Sequence, residues 1–222
     1  MKRVIRETAD GSHTLEIEEM NVTYHSKHGS IQESRHVFID AGLTYLHQTQ
    51  AVTSAQILEM GFGTGLNALL TALYSEKNKI AVHYHSLEAF PLDQQEIDML
   101  NYGALLQADF LYQQLHKTIW DSETLIHPNF YLHKHAISLQ TFDTDIRFNC
   151  IYYDAFAPSA QPELWTTDIF RKLFNLLTKG GLLVTYCSKG VVRRSMETAG
   201  FRVTKLQGPP GKREMVRAFK DQ

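Results

Sequence analysis

Short alternating segments open the chain. Thr14-Leu15-Glu16-Ile17-Glu18 and Val22-Thr23-Tyr24-His25 switch between apolar and polar residues, which predicts a hairpin, and helical spacing follows over 33–46. Beyond residue 50 the pattern becomes apolar runs separated by amphipathic stretches. Strands are predicted at 55–60, 80–87, 130–133, 148–153, 182–186, 201–206 and 214–219. Helices are predicted at 66–73, over 93–120 with a break near Asn101-Tyr102-Gly103, at 163–177 ahead of Gly180-Gly181, and at 190–199 before Gly200. Strands alternating with helices imply a mainly parallel α/β sheet covered on both faces. The last two strands are joined only by Gln207-Gly208-Pro209-Pro210-Gly211-Lys212-Arg213. That link is too short for a helical crossover, so the pair must run antiparallel. We expect one compact unit at 51–222, with residues 1–50 as an extension packed on it.

The first strand of the α/β region runs into Glu59-Met60-Gly61-Phe62-Gly63-Thr64-Gly65-Leu66-Asn67. In open α/β sheets ligands bind beyond the carboxyl ends of the strands. The G-x-G-x-G spacing departs from the G-x-G-x-x-G of a dinucleotide site, which seats a phosphate over the helix start. S-adenosylmethionine has no phosphate. It needs room for its methionine part and a carboxylate for its ribose hydroxyls, and Glu88, closing the second strand, supplies the carboxylate. Glu59, Gly61, Phe62, Gly63, Gly65, Asn67 and Glu88 are thus the expected cofactor contacts.

The fourth strand ends in Tyr152-Tyr153-Asp154-Ala155-Phe156-Ala157-Pro158 and abuts the first in a doubly wound order. Asp154 should then face the transferable methyl. Methyl transfer is a direct displacement by an unprotonated nucleophile held in line. A carboxylate can orient an incoming amine and take its proton. The plainer reading of Asp154 is a cap on the following turn. Phe156 and Pro158 would give a dry rim, with Trp165 close behind.

Composition adds little: 43% hydrophobic and 21% charged residues describe an ordinary globular protein. No apolar run approaches the ~20 residues of a membrane span, and the first residues lack a secretion signal. Cys150 and Cys187 read as reduced core thiols, so a cytoplasmic location is expected. The net charge is −2, yet from Lys189 onward nine basic residues meet three acidic ones. Such a lobe is either a polyanion footprint or a solvated edge. Among eleven histidines, His83 and His85 share a strand face, as do His133 and His135 on a neighbouring strand. With no acidic or Cys partner at ligand spacing, they read as surface or packed residues and no metal is expected.

Block by block, the chain resembles the methyltransferase domain of the bifunctional tRNA 5-methylaminomethyl-2-thiouridine biosynthesis proteins, the MnmC type. The likeness rests on Glu33-Ser34-Arg35-His36-Val37-Phe38, the stretch 59–67, Ser86-Leu87-Glu88-Ala89-Phe90-Pro91-Leu92, Asp154-Ala155-Phe156-Ala157-Pro158, Pro162-Glu163-Leu164-Trp165-Thr166, Val192-Arg193-Arg194 and Gly211-Lys212-Arg213-Glu214-Met215. It implies a class I Rossmann-like methyltransferase fold, a seven-stranded, mostly parallel sheet with an antiparallel last strand. It implies S-adenosylmethionine as cofactor and tRNA as partner, with 5-aminomethyl-(2-thio)uridine at the wobble position methylated on its primary amine. On this resemblance Gly61, Gly63 and Gly65 line the cofactor, Glu88 holds its ribose, Asp154 meets the amine, and Lys212 and Arg213 lie near the nucleotide. Two departures stand out. The 222 residues hold no flavin oxidase half, so the aminomethyl substrate is expected from another route. The family's acid after the third strand, near the adenine, is replaced by His133-Lys134-His135-Ala136-Ile137. The residues also leave open a small-molecule or protein amine methyltransferase and a non-catalytic cofactor-binding module.

Overall fold

In the computed structural model, which describes residues 2–221, the opening segments form a three-stranded antiparallel meander of β1 (Arg3–Glu7), β2 (His13–Ile17) and β3 (Val22–Thr23). This is one strand more than the predicted hairpin. The short run Arg3-Val4-Ile5-Arg6-Glu7, which lacks a clean alternation, is its outer strand and pairs with β2 along its whole length. A helical run over 30–50 (α1) follows. It opens at Ser30–Ser34, widens into π-type turns over Arg35–Thr44 and closes at Tyr45–Gln50. Its Val37, Phe38, Leu43 and Leu46 are fully buried in the same core as the main sheet. At Gly42 a Cβ would lie 3.2 Å from both Tyr152 and Val184, so glycine is what lets α1 sit down on the strands.

The main sheet is built from β4 (Ser54–Met60), α2 (Leu66–Asn78), β5 (Ala81–Leu87), three short helices α3 (Gln94–Asp98), α4 (Tyr102–Leu105) and α5 (Asp109–Lys117), then β6 (Glu123–His127), β7 (Phe130–His135), β8 (Phe148–Tyr153), α6 (Thr167–Leu176), β9 (Leu177–Thr185), α7 (Gly190–Ala199), β10 (Arg202–Gln207) and β11 (Glu214–Phe219). The spatial order is β10-β11-β9-β8-β4-β5-β7-β6. Strands β9, β8, β4, β5 and β7 run parallel; β11 is antiparallel to both its neighbours, as the short link requires. The α/β class and the antiparallel ending match the expectation, but there are eight strands, not seven. The extra one, β6, pairs antiparallel with β7 across Pro128-Asn129. Its sequence, Glu-Thr-Leu-Ile-His, is polar enough to hide beside the preceding helices because it lies at the sheet edge, with Leu125 exposed.

Alternate residues of the central strands feed two cores. Cys150 and Tyr152 of β8 and Leu182 and Val184 of β9 face α1 and α2; Ile151, Tyr153 and Leu183 face α6 and α7. Burial on both faces explains why these strands read as unbroken apolar runs. Both cysteines are buried free thiols. Among the described residues no helix is long and apolar enough to cross a membrane.

Candidate functional site

A cleft of about 300 Å³ opens at the carboxyl ends of β4, β5 and β8, the β4–β8 border being the switch point of the sheet. Its floor is the glycine turn between β4 and α2. Gly61, Gly63 and Gly65 all have positive φ, at 90°, 48° and 73°. Gly61 and Phe62 donate their backbone N–H groups to the Leu87 carbonyl, at 2.9 and 3.3 Å, which ties the turn to β5. At Gly65 a Cβ would stand 2.7 Å from His116 Nε2, so the turn has no room for a side chain there.

Glu88 lies at the wall of this floor. Its Oε2 accepts from Gly63 N–H at 3.0 Å and its Oε1 from Phe90 N–H at 2.8 Å. Beneath the turn Glu59 is buried. Its Oε2 accepts from Ser86 Oγ at 2.7 Å, its Oε1 has no partner, and burial pushes its carboxyl up to about 8. Asn67, in the first turn of α2, donates to Asp154 Oδ2 at 2.9 Å, while its own Oδ1 is buried and unpartnered. Asn67 and Glu88 line the glycine-floored cleft, whereas Glu59 and Gly65, expected as cofactor contacts, lie outside its lining; the orphaned Asn67 oxygen and the ribose-compatible Glu88 carboxylate fit S-adenosylmethionine.

Asp154 follows β8 directly. Its side chain accepts from Asn67 rather than capping the next turn. Burial, with the Glu33 charge adding to it, raises its carboxyl to about 7; the Asn67 hydrogen bond and the Lys212 charge pull it back. Glu33 and Lys212 form a pair of their own: Lys212 Nζ lies 2.5 Å from Glu33 Oε1 and 3.9 Å from the ring centre of Tyr186. Glu33 Oε2 also accepts from Ser26 N–H at 2.8 Å. Glu33 thus ties together the turn before α1 and the β10–β11 loop, and sets the charge facing Asp154.

The other expected residues are placed as follows. Phe156 lines the cleft and meets Tyr24 edge-on, ring centres 5.1 Å apart. Trp165 is buried beneath the loop, donating Nε1–H to the Phe156 carbonyl at 2.8 Å and packing on Tyr153. It supports the rim from below and is not on the cleft wall. Pro158 lies further along the same loop, outside the cleft lining, and Arg213 is exposed on the β10–β11 loop.

The amino-terminal segments were read for structure alone, yet they roof the cleft. Arg3, Tyr24 and His25 all line it. Arg3 grips Glu96 with Nη1 at 3.0 and 2.9 Å, and Glu96 closes a capping box with Asp93 at the start of α3. His25, held neutral by burial that lowers it to about 4, meets Thr64 Oγ1 at 2.7 Å. The only sequence signal for this roof is the apolar/polar alternation of Val22-Thr23-Tyr24-His25. On the far side, Ser138 and Gln140 line the cleft just past β7, where the acid of the resembled family is missing.

The sequence profile of a family described as S-adenosyl-L-methionine-dependent methyltransferase matches residues 109–221. The tRNA 5-methylaminomethyl-2-thiouridine biosynthesis bifunctional protein MnmC of Ectopseudomonas mendocina is 31% identical over 216 residues, covering 87% of this chain and 31% of that protein. The MnmC protein of Leptospira interrogans is 32% identical over 212 residues, covering 90% of this chain and 32% of that one. This chain therefore spans about a third of the length of these relatives. Among solved structures, MnmC2 from Aquifex aeolicus is similar with a TM-score of 0.79 at 26% identity, over 98% of this chain and 69% of that one. Spermidine synthase from Thermotoga maritima shares the fold, with a TM-score of 0.61 at 13% identity.

Proposed function

This chain belongs to the S-adenosyl-L-methionine-dependent methyltransferase family, and from that membership we propose that it methylates the primary amine of 5-aminomethyl-(2-thio)uridine at the wobble position of tRNA, giving 5-methylaminomethyl-(2-thio)uridine. The observation that carries this reading is Asp154, at the end of β8, bonded to Asn67 of the cofactor turn and lifted to about 7.

When bound, S-adenosylmethionine supplies an electrophilic methyl group on a sulfonium. Gly61 and Gly63 give it close backbone approach, Glu88 accepts from its ribose hydroxyls, and Asn67 offers its unpartnered oxygen to its polar end. Asp154 does the acid–base work. Asn67 fixes one of its oxygens, leaving the other for the incoming amine. A carboxylate near 7 is basic enough to take the ammonium proton as the amine becomes a nucleophile, and Phe156 with Tyr24 keeps water from that position. Removing the acceptor proton and aligning the lone pair are the two things this transfer asks of the protein.

Lys189, Arg194 and Arg213 are exposed around α7 and the β10–β11 loop, at the same end of the sheet as the cleft. They suit phosphates flanking an extruded nucleotide. Much of the remaining basic lobe is already paired: Arg202 with Asp221, Lys205 with Glu214, Lys212 with Glu33. The test is mass analysis of tRNA nucleosides from cells lacking this protein. Accumulation of the unmethylated aminomethyl uridine is expected; an unchanged nucleoside profile would overturn the reading.

A further inference from the structure

On the face of the sheet turned away from α2, the carboxyl ends of β5 and β7 gather three histidines that the methyl-transfer reading does not use. In register, His85 stands beside His133 and Leu87 beside His135, so all three imidazoles emerge on one face. The His133 and His135 ring centres are 3.9 Å apart and stacked, and His85 lies 5.4 Å from each. His85 Nδ1 and His135 Nε2 are 3.1 Å apart, and one nitrogen from each of the three rings lies within 4.8 Å of the others. In a tetrahedral zinc site, with metal–nitrogen bonds of about 2.0–2.1 Å, the ligand nitrogens stand roughly 3.3 Å from one another.

The surroundings suit an ion as well. Phe148 packs edge-on against His85 and Phe142 against His135, at 5.4 and 5.2 Å, forming an apolar wall on one side. His85 is buried while His133 and His135 are partly exposed, so the open side gives an entry path. The edge strand β6 runs alongside, and its acid is engaged by His83. Glu123 is the cross-strand partner of His133, and its Oε1 lies 3.5 Å from His83 Nδ1. His83 itself stacks on Tyr131 and stands outside the trio.

We propose that His85, His133 and His135 form a tris-imidazole site for a divalent first-row transition ion, with zinc as the reference case and a fourth position open to water. Imidazole sets of this kind suit zinc, copper and nickel better than magnesium or calcium. The site borders the cofactor cleft: the His135 carbonyl accepts from Glu88 N–H at 3.0 Å, and Ser138 and Gln140 of the following segment line the cleft. A bound ion would brace this edge.

The test uses the full, untagged chain freed of metal by chelation, titrated with Co²⁺ and then with Zn²⁺. One equivalent of Co²⁺ is expected, with the visible d–d absorption of a low-coordinate nitrogen site, displaced by one equivalent of Zn²⁺ and accompanied by a higher unfolding temperature. Because His85 is buried, the variants are placed on the more exposed ligands. His133→Ala and His135→Ala should each weaken Zn²⁺ binding by at least about tenfold, whereas His83→Ala should bind as the unmodified chain does. Absence of stoichiometric binding, or equal affinity in the His133→Ala/His135→Ala double variant, overturns the proposal. Circular dichroism confirms that each variant is folded.

Discussion

Between Glu59 and Glu88 a single strand–helix–strand unit supplies the glycine turn, the buried acid, Asn67 and the ribose-side carboxylate of the cleft. The opposite wall has no such local origin. It draws Tyr24 from the meander and Asp154 and Phe156 from the end of β8, and the Glu33–Lys212 pair, 179 positions apart in sequence, acts on Asp154 from outside the cleft lining. The first wall is set by backbone geometry, the second by charges that offset one another. Losses on the first should therefore appear as lost affinity and stability, and losses on the second as lost turnover and a moved pH profile. Asn67 links the turn to Asp154, and His25 of the meander meets Thr64 of the turn.

The largest effect should follow from Asp154→Asn. It keeps the shape and the Asn67 contact but removes the base, so kcat should fall by about 10²–10⁴-fold while the Kd for S-adenosylmethionine, read by calorimetry, stays nearly unchanged. Equal losses in both quantities would mean that the two walls are not separable.

Next is Gly65→Ala. The new Cβ meets His116 Nε2 at 2.7 Å, in a left-handed backbone that costs a non-glycine residue about 1–3 kcal/mol. Thermal unfolding should show that loss, and cofactor affinity should drop with it. An unchanged melting temperature would contradict the strain argument.

The charge pair gives a two-way prediction. Asp154 sits at about 7, and a base must be deprotonated to act, so kcat/KM should rise with pH through that value. Glu33 raises Asp154 and Lys212 lowers it. Glu33→Gln should therefore move the rise to lower pH, and Lys212→Met should move it to higher pH. A shift of both variants in the same direction breaks the assignment.

The smallest effects belong to the buried acid and the rim. Glu59 has a folded-state value of about 8, above its unfolded value, so the folded state holds its proton more tightly. Its contribution is fully present below the unfolded pKa and declines as pH rises toward 8. Glu59→Gln should flatten the fall in stability across that window, as measured by denaturant unfolding at several pH values. At the rim, Arg194→Ala or Arg213→Ala should each reduce the salt slope of tRNA binding by about one unit; an unchanged slope would remove that residue from the phosphate contacts.

Legibility in the sequence follows the same division. The order of strands and helices from 54 to 219, β6 excepted, could be read from apolar runs and glycine stops because strands buried on both faces advertise themselves. The glycine turn and Glu88 could be read because they are local. What stayed hidden is non-local or at an edge. β1 and β6 are edge strands with polar faces, and β6 is bracketed only by the short turns at Asp121-Ser122 and Pro128-Asn129. Arg3, Tyr24 and His25 reach the cleft only through the packing of the meander, which no spacing reveals. Glu33 has no role that local sequence reveals, because its partner is a lysine near the other end of the chain. Trp165 was expected beside the rim; its indole instead buries itself where Tyr153 and the Phe156 carbonyl satisfy both its face and its N–H.

The central claim, that Asp154 serves a methyl transfer to an aminomethyl uridine of tRNA, is tested most directly by single-turnover transfer. Label is carried on the methyl of S-adenosylmethionine, the acceptor is tRNA bearing the 5-aminomethyl group, and the enzyme is the unmodified chain beside Asp154→Asn. The account predicts label in 5-methylaminomethyl-(2-thio)uridine with the unmodified chain, at a rate that rises with pH through about 7, and a rate lower by at least about a hundredfold with the variant. No label in that nucleoside while the cofactor is demonstrably bound, or equal rates for the two proteins, would contradict it.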